Sequence, residues 1–271
     1  MPMGEGTGTF SVIATDERLP GFVLLTSIIA ESRGLHHDDA GRIARHAWGF
    51  LGEDLDETGA DAVLERCATY GVKAAKVPAA AIPVLKLPTL IKKAVFADGN
   101  FNYTDGNLLA GSEGCGDILL LAAAPVKEEK TRTVKTTEGP SGGERAVRLG
   151  IMAVTGLPIG LGKSKEVKKE IKSSEVSFCM DIIFRTEGLR LRLNSDNFDF
   201  SCLKEKRTYS SQTNFRLMCA ELAACAPHAL KNAGLLAILE SKPLTVLPYD
   251  SAEDLEKETL RLAALAALRG L

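Results

Sequence analysis

The chain has 271 residues and a mass of 29.0 kDa, is 45% hydrophobic and 25% charged, and carries a net charge of −2. These are ordinary globular values with enough chain to bury a large core, and they exclude a globally basic nucleic-acid binder. The charge is uneven: residues 1–78 hold 7 Lys and Arg against 12 Asp and Glu, and the remainder holds 26 against 23, so two units of different character are expected.

The six cysteines (Cys67, Cys115, Cys179, Cys202, Cys219, Cys225) contain no C-x-x-C pair, which argues against a zinc ribbon or a thioredoxin-type centre. Most sit among apolar neighbours, where a free cysteine behaves as a small hydrophobe. Residues 21–30 are apolar but follow Asp16 and Glu17 and are too short to span a bilayer. The expectation is a reduced, soluble, cytoplasmic protein.

In chain order, Thr9–Ala14 reads as a short strand, and Phe22–Ser32 carries apolar residues at helical spacing, stopped by Gly34. Asp38 and Asp39 open a second helix over 39–47, with their carboxylates near its positive end. Asp56 caps a third over 57–70, ended by Gly71, and Val72–Val77 returns as a strand.

Residues 34–77, GLHHDDAGRIARHAWGFLGEDLDETGADAVLERCATYGVKAAKV, resemble the C-terminal domain of the bacterial ribosomal stalk protein and can be laid on it without gaps. Gly34-Leu35 match its glycine-leucine turn, Ala40 its helix alanine, Leu51 and Leu55 its loop anchors, and Gly71 its last turn. The resemblance covers residues 9–78 and implies a compact α/β sandwich that docks a partner protein. The family meets translation factors through lysines on its second helix and the turn before it. Asp38 and Gly41 fall where two of those lysines would be, so the scaffold carries over rather than that partner. Asp38, Asp39, Arg42, Arg45 and Trp48 are the candidate docking residues.

His36-His37-Asp38-Asp39 offers metal-type donors, with His46 nearby. Adjacent histidines point in different directions and no H-x-x-x-H pair shares a helical face, so a solvated turn and cap is preferred and no metal is assigned. Trp48, the single tryptophan, reads as a partly buried loop anchor or as an exposed hot spot on the docking face.

Residues 78–88 hold three prolines in eleven positions and read as a semi-rigid linker over 79–88 that packs against something. Beyond it, 92–98, 101–104, 117–124, 131–137 and 145–154 are short β-leaning runs between glycine turns. Val176–Arg185 and Leu189–Asn194 form a hairpin whose leucines alternate with Arg190 and Arg192, one buried face and one wet face. Ser211–Cys225 and Ser251–Ala267 are helical, the latter capped by Asp250 or Ser251. The fold class is therefore α+β: a small stalk-like sandwich (9–78) joined to a larger β-rich domain with C-terminal helices (89–271). That second domain is similar in architecture to pleckstrin-homology-like domains.

Residues 127–172 carry 11 Lys and Arg against 6 Asp and Glu and read as a solvated insertion, or as a basic patch for an anion, an acidic protein or a membrane surface. They lack Tyr and Phe, so nucleic acid is the weaker choice. Within them GLPIGLGKS (156–164) resembles the end of a phosphate loop, making Gly160, Gly162, Lys163, Ser164, Lys168 and Lys169 candidate binding residues. Leu157 stands where the motif needs its first glycine. The strand ending at Asp181 follows too soon for a crossover helix. Ser164–Ile171 reads as one short helix. No hydrolase elbow or zinc-protease motif occurs. Cys225 with His228, and Asp181 with Asp196 and Asp199, are pairings without a visible third partner. The expected function is non-catalytic binding of another protein, with no cofactor and no integral membrane segment. The alternatives are a nucleotide or phosphate binder using Gly160–Ser164 and a peripheral membrane module using the basic loop.

Overall fold

The computed structural model describes residues 8–138, 165–242 and 249–271. The chain is α+β and builds two sheets. The first has strands β1 (Phe10–Ala14), β2 (Phe50–Leu55) and β3 (Ala74–Pro78) in the order β2-β1-β3, all antiparallel. Helices α1 (Phe22–Arg33), α2 (His37–Arg45) and α3 (Glu57–Thr69) cover one face of it. Val12 and Ala14 point into that layer, joining Leu25, Ile28, Ile29, Ala40, Ala44, Ala60 and Val63. Ile13 points the other way, as period-2 alternation requires.

Local sequence explains these elements. Gly34 takes φ 61 and ends α1; Asp56 accepts from the amide of Gly59 and starts α3. His36, two residues earlier than expected, caps α2 by accepting from the amide of Asp38. Leu51 and Leu55, read as loop anchors, lie in strand β2 instead. Leu51 is fully buried there, and a glycine at position 52 packs under Leu55.

The second sheet has the order β10-β7-β8-β9-β4-β5-β6, from β4 (Thr89–Ala97), β5 (Asn100–Asp105), β6 (Ala110–Gly114), β7 (Ile118–Glu138), β8 (Lys165–Phe184), β9 (Arg190–Asn194) and β10 (Leu230–Lys231). Most described pairs are antiparallel, but β4 with β9 and β10 with β7 run parallel. The expected 117–124 and 131–137 runs are one long strand. Residues 165–171, expected as a short helix, belong to β8. The expected strand over 145–154 lies outside the described residues. The β8–β9 hairpin stands as read, with Ile182 opposite Leu191 and Met180 opposite Leu193.

Both faces of this sheet are covered over its β7 and β8 strands. Helix α4 (Ser211–Cys225) and helix α5 (Ala233–Leu239) pack on one, where Leu121, Ala123, Met180, Ile182, Phe184, Leu191 and Leu193 meet Phe215, Met218, Cys219, Leu222 and Leu235. Helix α6 (Ala252–Leu268), capped by Ser251, packs on the other, against Leu120, Ala122, Ala124, Cys179 and Ile183. The opposite side of α6, through Ala264 and Leu260, meets Ile13, Phe50 and Val77 of the three-stranded sheet. One helix is thus shared by two sheets. Residues 1–127 and 176–271 accordingly form a single compact unit, and 128–175 a second. This differs from the division at 79–88. Ile82 and Leu85 pack into the clusters under α6 and the carbonyl of Lys86 accepts from Arg190, so the proline segment is tied down at these points, while Val84 and Leu87 remain exposed.

The arginine face of β9 is not wet. Asp181 of β8, fully buried, accepts from Arg190 Nε at 3.0 Å and from Arg192 Nε and Nη2 at 2.6 and 2.8 Å, and Arg190 also donates to Glu256 of α6 at 2.8 Å. Alternation here separates a leucine face from an ion-paired one, and α6 closes over the latter. Removing the carboxylate would leave two guanidiniums facing each other out of water. Asp181→Asn is therefore expected to lower the unfolding free energy by about 3–5 kcal/mol in a urea titration. A loss below ~1 kcal/mol would mean that water reaches the cluster.

One cysteine expectation changes. Cys115, in the turn before β7, and Cys225, at the end of α4, form a disulfide, with Cα atoms 5.7 Å apart and a sequence separation of 110. The reading of a fully reduced chain is corrected accordingly; spacing alone cannot show that two distant turns meet. Cys67, Cys179, Cys202 and Cys219 are free, and burial pushes the Cys67 thiol up to about 11. Among the described residues no helix is long and apolar enough to cross a membrane.

Candidate functional site

Helices α1 and α2 run side by side and leave a groove of about 530 Å³ between them. It is lined by Phe22 and Thr26 from α1 and by His37, Asp38, Gly41, Arg42, Arg45 and His46 from α2 and its end. The helical period places these residues. On α1 the core stripe is Leu25, Ile28 and Ile29, which leaves Phe22 half exposed on the neighbouring face. On α2 only Ala40 and Ala44 are buried, so 38, 41, 42 and 45 line one side. Val23 and Ile43 add exposed apolar surface on the same pair of helices.

Three of the five expected docking residues, Asp38, Arg42 and Arg45, line this groove. Asp39 does not line it, but pairs loosely with Arg42 at 3.5 Å on the surface. Arg45 pairs with no carboxylate among the described residues, so its charge is available to a ligand. Trp48 does not line it: it is 6% exposed and belongs to the core cluster between the seven-stranded sheet and α6. Phe22 and Thr26 were not singled out from sequence, and His46 was weighed there only as a metal-type donor. The signal for Phe22 and Thr26 was their i, i+4 spacing one step off the core stripe of α1.

Trp48 and His46 connect the groove to α6. The turn 46–49 holds Trp48 at φ 48 and Gly49 at φ 86, two successive left-handed residues. A tryptophan in that region is strained, and three contacts hold it. Its ring stacks on Tyr249 with centroids 4.2 Å apart, its Nε1 donates to Asp254 Oδ1 at 2.6 Å, and Gly49 lets the chain pass under Arg261. A Cβ at Gly49 would stand 2.4 Å from Arg261 Cδ, so this position requires glycine for both conformation and space. The same Asp254 oxygen lies 2.9 Å from His46 Nδ1, and Asp254 Oδ2 accepts from the amide of Asp250. An ionised carboxylate can only accept, so His46 Nδ1 is the donor in this contact. The half-exposed ring lines the groove with its other nitrogen available.

Below this lies a buried polar network. Glu258 accepts from the Tyr249 hydroxyl, from Asn232 Nδ2 at 2.9 Å and from the amide of Ala233 at 3.0 Å. Asn232 also exchanges two hydrogen bonds with Ala123 of β7. Arg261, fully buried, donates to the carbonyls of Ala14, Asp16 and Glu17 at 3.0, 2.8 and 3.1 Å. Burial, then the Glu258 charge, pushes the Tyr249 hydroxyl well above the ordinary tyrosine range, so it remains a donor.

The remaining expected residues do not join this site. Gly160, Gly162, Lys163 and Ser164 lie outside the described residues, and Lys168 and Lys169 lie on β8. His228 binds the carbonyl of Ile118 at 3.1 Å and Cys225 is in the disulfide, so they form no catalytic pair. Asp181 is taken up by Arg190 and Arg192, and Asp199 caps the turn at Ser201. Among the described residues no group of three or more His, Cys, Asp or Glu is placed to hold a metal ion.

Asp254→Ala would strand the Trp48 Nε1 donor in the interior. It is expected to cost about 2–4 kcal/mol and to shift the emission of this single tryptophan to the red. Unchanged emission and stability would show that Trp48 is held by stacking alone. Compared with family models, curated proteins and solved structures, the chain matches none.

Proposed function

We propose that this is a non-catalytic protein-binding protein, and that the groove between α1 and α2 receives an apolar side chain of its partner. The observation that carries this reading is Gly41. An interior helical glycine costs roughly 1 kcal/mol relative to alanine. Gly41 has no positive φ, and a Cβ there would meet only Phe22 Cζ and Thr26 Cγ2, both at 3.8 Å, which is ordinary contact. Neither conformation nor packing demands glycine at this position. What glycine does provide is an open floor between Phe22 and Arg42.

The lining then suggests the occupant. Phe22 and the Thr26 methyl give an apolar bed, and Arg42, Arg45 and His46 stand along one side. An apolar anchor followed by a carboxylate fits both features, in the manner of a helix laid in a groove. The resemblance to the stalk domain points to the same face, since that family docks through its second helix and the preceding turn. Asp38 and Gly41 in place of lysines argue for a different partner from the family's.

Gly41→Leu fills the groove without touching the core, and Gly41→Ala serves as its control. Gly41→Ala is expected to fold with stability equal to wild type or up to ~1 kcal/mol higher. In affinity capture with a photo-crosslinker at Ile43, the protein recovered by wild type and Gly41→Ala should be lost with Gly41→Leu. Recovery of the same protein by all three would remove the groove from consideration.

A further inference from the structure

The turn joining β5 to β6 reads Asp-Gly-Asn-Leu-Leu over residues 105–109 and ends one side of the seven-stranded sheet. Asp105 Oδ1 accepts from the amides of Asn107 and Leu109, both at 2.8 Å, which fixes the turn and leaves Leu108 at φ 66. That backbone is easy for glycine or asparagine and unfavourable for leucine. Packing does not offset the strain, because Leu108 is 80% exposed and Leu109 66% exposed. The start of β4 adjoins them: the amide of Gly106 donates to the carbonyl of Leu90 at 2.8 Å, and Leu90 is itself 53% exposed. A strained, exposed leucine beside two further exposed leucines is a feature that folding alone does not account for.

The strand behind this tip is rich in lysine. Residues 79–97 contain three lysines and no Asp or Glu. Lys92 and Lys93 are exposed on β4 just past Leu90, and neither pairs with a carboxylate among the described residues. Of the neighbouring acids, Asp105 is 8% exposed and occupied by the turn amides, and Asp199, whose amide donates to the carbonyl of Lys92, accepts from the amide and hydroxyl of Ser201.

We infer that this tip is a membrane contact. Leu108 and Leu109, with Leu90 behind them, enter the acyl boundary of a bilayer, while Lys92 and Lys93 meet anionic headgroups. The site is separate from the α1–α2 groove and does not depend on its reading, and it differs from the basic segment 127–172.

Leu108→Asn combined with Leu109→Ser tests it, because asparagine is at ease at positive φ and the fold should be kept or slightly stabilised. Full-length protein would be sedimented with vesicles of phosphatidylcholine alone and of phosphatidylcholine mixed with phosphatidylglycerol. Wild type should partition onto the mixed vesicles, the leucine variant at least about tenfold less. Lys92→Gln with Lys93→Gln should reduce the preference for anionic lipid. Equal partitioning of wild type and the leucine variant, or no partitioning of wild type, would overturn the inference. So would concentration-dependent self-association that disappears in the leucine variant without vesicle binding, which would make the tip a contact between copies.

Discussion

Helix α6 is buried on two opposite sides, and the arrangement of the described core follows from how that burial is satisfied. Its apolar residues divide between the seven-stranded sheet (Leu255, Leu262, Ala263, Ala266) and the three-stranded one (Leu260, Ala264). Between those stripes it carries Glu258 and Arg261, both with no exposed surface. Charges taken so far from water are tolerated only when hydrogen-bonded and paired. Burial lowers the Arg261 pKa, the Glu258 charge offsets part of that, and arginine's high ordinary value keeps the side chain cationic. Its partners are carbonyls at the end of β1 and the start of the loop into α1. Those of Glu258 belong to Tyr249 and to the turn entering α5. Satisfying these two charges requires both sheets to be present. The Nε of Arg261 is the buried side-chain nitrogen left without a partner among the described residues, and it lies against Gly49.

The groove inherits its rigidity from this arrangement. Asp254, in the first turn of α6, reaches past the three-stranded sheet to Trp48 and His46, so the end of α2 is anchored to a helix more than 200 residues away in sequence. A binding surface made from two short surface helices would otherwise fray easily. Here the α2 end is held by two hydrogen bonds and a stacked ring pair, and the entry to α1 is held by Arg261. Preorganisation of this kind reduces what a ligand must spend on ordering the site.

Much of the local structure was legible because it is local. Gly34, Asp56 and Ser251 mark helix ends by capping and left-handed geometry, and the alternation from Leu189 to Leu193 marks β9. What could not be read is what each face meets. Arg190 and Arg192 look like a solvated face until α6 covers them; Trp48 looks like a surface anchor until Tyr249 stacks on it. Residues 79–88 look like a linker because proline content describes backbone stiffness and says nothing of Leu85 packing beneath α6. The disulfide, the short strands β6 and β10 and the partnership of His46 with Asp254 all depend on contacts between residues far apart in sequence. Asp38, Arg42 and Arg45 were legible as docking residues because helical period alone brings them to one side of α2.

If α6 welds the two sheets into one cooperative body, the most protected amides on its two sides must open together. Native-state hydrogen exchange on the full chain tests this by comparing the amides of Val12 and Ile13 in β1 with those of Leu121 and Ala123 in β7. The account predicts the same opening free energy for both groups, equal to that of global unfolding. A β1 group that exchanges through an opening several kcal/mol cheaper than that of β7 would show the three-stranded layer to be an independent domain, and would contradict it.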